Sequence, residues 1–234
     1  MEAADRTATL AGITEVSIKH FRIFMLYFSV TELRTRGPFQ CYHLSMQRAA
    51  YILAGGRSSR MGSDKALLPF HGRTLVEHVA AQAHSVTANV TLVGKRERYI
   101  NFGYVVIEDS MAECGPLAGV HAALASTACD WNLILACDMP EVTAEFLGEL
   151  LAHAESGCAD VVIPVTPEGA PEPLCAAYHR RCAEAIGNAL KNGVRKVTDG
   201  LAGLKVDHWS VPDSHFFRNL NTPQDYATYS HDSR

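Results

Sequence analysis

The 234-residue chain has seven cysteines but no C-x-x-C pair, and none of its eleven histidines stands in an H-x-x-x-H or H-E-x-x-H spacing. These missing spacings exclude the common structural zinc sites and the helical zinc-hydrolase site. An odd cysteine count in a chain this long also argues for reduced thiols in a cytoplasmic protein and against a disulfide framework. Cys137 and Cys175 fall in apolar, strand-like runs and read as small core residues. Long apolar runs are missing too: Ile23–Phe28 is far shorter than the ~20 residues of a membrane span. Glu2, Asp5 and Glu15 precede that stretch and no small-x-small pattern follows Val30, so a secretory leader is not indicated. Nor is there an excess of one charge. With 21 basic and 25 acidic side chains the net charge is −4, so no bulk attraction to nucleic acid or to an acidic membrane surface is expected.

At 47% hydrophobic residues the chain can bury a full core. Residues 1–45 do not share the pattern of the rest and read as an N-terminal extension, with a break at Gly37-Pro38 and Met46 as the working start. From 46 to 234, strand-like and helix-like segments alternate. That is the pattern of a single α/β domain, a three-layer, doubly wound and mostly parallel sheet. Strands are expected at Tyr51–Leu53, Val90–Val93, Tyr104–Ile107, Trp131–Cys137, Val161–Pro164, Leu174–Tyr178 and Lys205–Val211. Thr74 caps a helix whose apolar face is Leu75, Val76, Val79, Ala80 and Ala83. Gly115 to Gly119 reads as a turn feeding a short helix, Val120–Ser126. Further helices are expected at Thr143–Ala154 and from about Arg180 to Lys191. Thr222 with Pro223 and Asp225 is a helix start.

One segment stands apart. After the first strand comes L-A-G-G-R-S-S-R-M-G-S-D-K-A-L-L, residues 53–68. Gly55 and Gly56 lack a Cβ and let the main chain approach a ligand. Successive N–H groups in such a loop form a concave anion site. Arg57, Arg60 and Lys65 place positive charge around it. The loop is not a Walker A loop, because Ser63, Asp64 and Lys65 follow Gly62 where Lys and then Ser or Thr would be required. It is not G-x-G-x-x-G either, because Ser58 replaces a glycine. In open α/β sheets ligands bind beyond the carboxyl ends of strands. Two further strand ends carry acids there, Asp109 and Asp138.

The loop closely resembles the signature of the nucleotidyltransferases that make activated pterins and sugars, and within them it is most similar to the molybdenum cofactor guanylyltransferase family. E-D-S, G-P-L-A-G, C-D-M-P, P-L-C-A-A-Y and N-L-N-T-P follow in that family's order, so the resemblance spans nearly all of 46–234. It implies transfer of GMP from GTP to the terminal phosphate of molybdopterin, with Mg²⁺ as the metal and molybdoenzyme-specific chaperones as protein partners. Carried over residue by residue, it implies that Leu53, Ala54, Gly55 and Gly56 hold the nucleotide with backbone groups. Lys65 and Arg60 meet phosphates, Asp109 contacts the guanosine, and Asp138 carries the metal. Asn219 and Asn221 lie at the edge of the site. The chain departs from the pattern at Val93-Gly94-Lys95, where the family can carry an Asn that helps read guanine. A cytidylyltransferase or nucleotide-sugar pyrophosphorylase, or a nucleotide-binding module without turnover, are the other readings the sequence leaves open.

Overall fold

Strand β1, Arg48–Leu53, sends alternate side chains into two separate cores, and this alternation sets the architecture. Ala50 and Ile52 enter one core, Ala49, Tyr51 and Leu53 the other. A strand buried on both faces needs helices on both sides. The computed structural model describes residues 48–54, 64–109, 114–220 and Asp225. The extension at 1–45, the start at Met46 and the helix start at Thr222-Pro223 therefore lie outside the described residues.

After β1 the chain makes a small hairpin, β2 (Pro69–Phe70) and β3 (Arg73–Thr74). His71 and Gly72 form its turn with φ of 45° and 79°, the two positive values that a two-residue hairpin turn of matching twist requires. Helix α1 is Leu75–His84. Thr74 caps it in a reciprocal box: its hydroxyl accepts from the Glu77 amide, and the Glu77 carboxylate accepts from the Thr74 amide at 2.8 Å. There follow β4 (Asn89–Val93), the single turn α2 (Arg96–Tyr99) and β5 (Val105–Ile107). Next come α3 (Pro116–Ser126), β6 (Trp131–Ala136), α4 (Ala144–Ser156) and β7 (Val161–Val165), then β8 (Cys175–His179), α5 (Ala183–Lys191) and β9 (Val206–Ser210). Helices α1 and α4 pack on one face of the sheet, α3 and α5 on the other.

Two helix starts differ from the sequence reading by more than one residue. The G-P-L-A-G segment is already helical: α3 begins at Pro116, directly after Gly115 at φ 74°. Proline suits the first helical position, where its missing N–H has no intrahelical partner anyway. Gly119 sits inside the helix for a packing reason. A Cβ there would lie 3.2 Å from Leu53 Cδ2, so the glycine lets α3 press onto β1. The helix expected from Arg180 opens as a 3₁₀ turn, Arg180–Cys182, before α5.

The seven strands run in the order β5-β4-β1-β6-β8-β7-β9, and only β8 is antiparallel to its neighbours. The chain leaves β1 toward β4 and β5, then returns to the other side of β1 as β6. That reversal is the topological switch point, and the crevice it makes lies at the carboxyl ends of β1 and β6. The register brings those ends level: Leu53 pairs with Val93 on one side and Ala136 on the other. Asn132, fully buried in β6, is satisfied by Thr127 and by the carbonyls of Cys129 and Tyr178. Among the described residues no helix is long and apolar enough to cross a membrane.

Candidate active site

Of the groups named from sequence, Lys65 and Asp138 meet at the switch point. Asp138 follows the end of β6 by two residues, and its main chain is fixed from outside the sheet: the Leu220 amide donates to the Asp138 carbonyl at 3.0 Å. That bond brings Asn219, the neighbour of Leu220, up against the same strand end, where its amide donates to the Phe217 carbonyl at 3.2 Å. Across the crevice, Lys65 Nζ lies 3.7 Å from Asp138 Oδ2. Both side chains are about four-fifths covered. Burial pushes the Asp138 carboxyl above the usual carboxylate range, and Lys65 opposes the shift.

Lys65 begins a 3₁₀ turn, Lys65–Leu67, whose cap is Asp64. The Asp64 carboxylate accepts from the Ala66 amide at 3.2 Å, from Arg98 Nη1 at 3.0 Å and from the Tyr99 hydroxyl at 2.7 Å. On the β1 side, Leu53 and Ala54 stand at the strand end with their backbone already engaged. The Leu53 carbonyl accepts from the Cys137 amide, Ala54 donates to the Val93 carbonyl, and the Ala54 carbonyl accepts from Tyr99. Asp109, half-buried, follows the end of β5. Three strand spacings separate β5 from β6, about 14 Å at roughly 4.8 Å each. Asp109 and Asp138 thus follow strands three positions apart in the sheet. Gly55, Gly56, Arg60 and Asn221 lie outside the described residues.

Three further residues near these segments were not singled out as site residues from the sequence. Glu172 lies in the loop that returns into β8, held there by its amide on the Pro164 carbonyl and its carbonyl under the Cys175 amide. Its carboxyl is pushed up first by burial and then by the negative Asp138 nearby. His78 donates through Nε2–H to the Pro140 carbonyl at 3.0 Å, since a carbonyl can only accept, so Nε2 carries the proton. Burial lowers its pKa. With His71 it lines an open hollow that includes Phe70, Pro140, Thr143 and His215, and neither Lys65 nor Asp138 belongs to that lining. The third is Tyr99, almost wholly buried.

The donor set suits a hard cation. Asp138 supplies a partly buried carboxylate at the mouth of the crevice, and Glu172 adds negative charge beside it. Among the described residues no three His, Cys, Asp or Glu side chains converge as a complete cage. An ion that keeps several waters and shares phosphate oxygens needs only one or two protein ligands.

Comparison with known proteins agrees with this fold. Residues 50–206 match the family model described as the MobA-like NTP transferase domain. A Nostoc protein named "Probable molybdenum cofactor guanylyltransferase" is 36% identical over 184 residues, 76% of this chain and 88% of its own. A protein of the same name from Pelotomaculum thermopropionicum is 35% identical, covering 77% of this chain and 90% of its own. Among solved structures, molybdopterin-guanine dinucleotide biosynthesis protein A from Archaeoglobus fulgidus superposes with a TM-score of 0.68 at 27% identity, over 79% of this chain and 98% of that one. The chain belongs to the MobA-like NTP transferase family and is a nucleotidyltransferase.

Proposed function

We propose that this enzyme transfers GMP from GTP to the terminal phosphate of molybdopterin, giving molybdopterin guanine dinucleotide and pyrophosphate. The observation that carries the reading is the Lys65–Asp138 contact at the carboxyl ends of β1 and β6, beside the glycine- and arginine-rich segment. An amine and a carboxylate facing each other at a phosphate loop are suited to polyphosphate and metal together.

An oxygen of the molybdopterin phosphate attacks the α-phosphorus of GTP in line. The bond from that phosphorus to the bridging oxygen breaks, and pyrophosphate leaves with the electron pair. A phosphate monoester has a second pKa near ~6 and is largely dianionic at pH 7, so the nucleophile needs no general base. The protein's task is to hold two highly negative reactants in line and to offset their charge. Asp138 would hold Mg²⁺, which when bound would screen and polarise phosphate oxygens. Lys65 meets the same phosphates, and Arg60 meets the incoming phosphate.

Asp109 takes the guanosine, accepting from the N1–H and exocyclic NH₂ of guanine or from a ribose hydroxyl. An Asn cannot share that task at position 94 with Tyr99 where it stands, because a Cβ on Gly94 would lie 2.7 Å from the Tyr99 ring. Pyrophosphate release measured with GTP, CTP, ATP and UTP tests the reading: GTP should support turnover with molybdopterin, and equal or better turnover with CTP would move the enzyme to cytidylyl transfer. Thermal shifts with the four nucleotides and Mg²⁺ give the matching order of affinity, since a bound ligand raises stability by mass action.

A further inference from the structure

Tyr99 has no assigned part in nucleotidyl transfer, yet it touches both sides of the phosphate segment. It lies in the one-turn helix α2, and its ring is almost wholly buried against Gly94. Its hydroxyl reaches two acceptors at once, the carbonyl of Ala54 and, at 2.7 Å, Oδ2 of Asp64. Ala54 is the last described residue before the glycine- and arginine-rich segment, and Asp64 is the first after it. One O–H shared between these acceptors ties the end of β1 to the start of the turn that carries Lys65. Arg98 adds a second, more exposed bond to the same Asp64 oxygen. Gly94 completes the fit: any side chain there would displace the ring that carries the hydroxyl.

We infer that Tyr99 is a positioning residue of the phosphate site, a clasp that joins Ala54 to Asp64 and thereby fixes Lys65 opposite Asp138. The role in nucleotide binding rests on the guanylyl-transfer reading; the clasp itself does not. The gain is pre-organisation. Lys65 is otherwise a flexible four-carbon stem, and holding its backbone restricts where the ammonium can go before any ligand arrives. Burial also raises the Tyr99 pKa, so the hydroxyl remains a neutral donor across the working pH range.

The test uses the full chain with and without GTP. Tyr99→Phe keeps the ring against Gly94 and removes only the hydroxyl. In the nucleotide-free protein, hydrogen exchange at the amides of Ala66, Leu67 and Leu68 should speed up about tenfold, while α1 keeps its protection. Calorimetric titration with GTP and Mg²⁺ should then show Kd raised about tenfold, the scale of one hydrogen bond to a charged group. On a Lys65→Ala background the same change should raise Kd by less than about twofold, because the side chain it positions is gone. A merely structural role would weaken binding equally on both backgrounds, and that result overturns the positioning role. Unchanged exchange at residues 66–68 overturns the clasp, whatever the chain binds. If the unaltered chain has no GTP affinity while Tyr99→Phe still speeds exchange, the clasp stands and the guanylyl reading falls. Should Tyr99→Phe fail to fold, Asp64→Ala breaks the clasp from its other end together with the Ala66 cap and the Arg98 bond, so it is read only by the GTP comparison with and without Lys65, where equal weakening on both backgrounds overturns the positioning role.

Discussion

Replacing Asp138 by Asn should lower activity and raise the stability of the metal-free protein, and the opposite signs make the prediction sharp. The carboxylate is partly buried, and its pKa is raised by that burial in spite of Lys65 at 3.7 Å. At that distance and an effective dielectric of ~20, the attraction to Lys65 is about 4.5 kcal/mol before desolvation. A raised pKa with such a partner present means that desolvation outweighs it. The sign follows from linkage. A carboxyl whose folded pKa exceeds its unfolded value destabilises the fold above the folded pKa, and the penalty is relieved as pH falls through the window between the two. Asn carries no such penalty, so at neutral pH the melting temperature of the metal-free variant should rise, by about 2–4 °C for each kcal/mol recovered in a chain of this size. The gain should shrink as pH falls through that window. Catalysis moves the other way: loss of a charged metal ligand should remove about 4 kcal/mol of transition-state stabilisation, roughly a thousandfold in rate. Pyrophosphate release across a magnesium titration and a calorimetric melt with chelator read the two effects. Normal turnover at ordinary magnesium would remove Asp138 from the metal site. A clear fall in melting temperature at neutral pH would show that the Lys65 pair, not desolvation, dominates.

Other expectations follow from the same geometry. Lys65→Ala should raise the Kd for GTP about tenfold or more, the loss of a charge-assisted phosphate contact, as read by calorimetry. Gly94→Ala should cost about 1–3 kcal/mol in chemical denaturation, because its Cβ would enter the Tyr99 ring at 2.7 Å; a neutral result would show that the ring can yield. His71→Gln, His78→Gln and His121→Gln should each lower kcat/KM less than about tenfold, roughly 1.4 kcal/mol, since no general base is needed. A thousandfold loss at one of them, with GTP affinity kept, would reveal a missed proton transfer.

What sequence could and could not reveal divides by the range of the interactions. Strand β6 was legible because Trp131–Ala136 is apolar and continuous, and α1 because Thr74, Glu77 and the apolar spacing lie within one local window. Lys65 and Asp138 were legible because their chemistry is carried by contiguous motifs. Tyr99, His78 and Glu172 were not. Tyr99 meets Ala54 and Asp64 across 45 and 35 residues, and His78 meets Pro140 across 62. No local periodicity encodes such a pairing. The start of α3 was misplaced for a related reason: G-P-L-A-G has the composition of a turn, but contact with Leu53 overrides the low helix propensity of Gly119.

The departure at Val93-Gly94-Lys95 shows how the two levels meet. From sequence it reads only as an Asn that is missing. In the fold, Gly94 is required by Tyr99, whose ring fills the space a side chain would take, while the Gly94 amide donates to the Ile107 carbonyl at 2.9 Å. That bond ties the end of β4 to the end of β5, two residues before Asp109. The absent side chain makes room for the clasp, while the amide, which any residue but proline would supply, anchors the strand end that leads to Asp109. On the proposed reading, an added side chain at 94 strains the phosphate side and leaves that anchor in place. Affinity for inorganic pyrophosphate should therefore fall in Gly94→Ala while affinity for guanosine is kept, whereas Asp109→Asn should weaken guanosine alone.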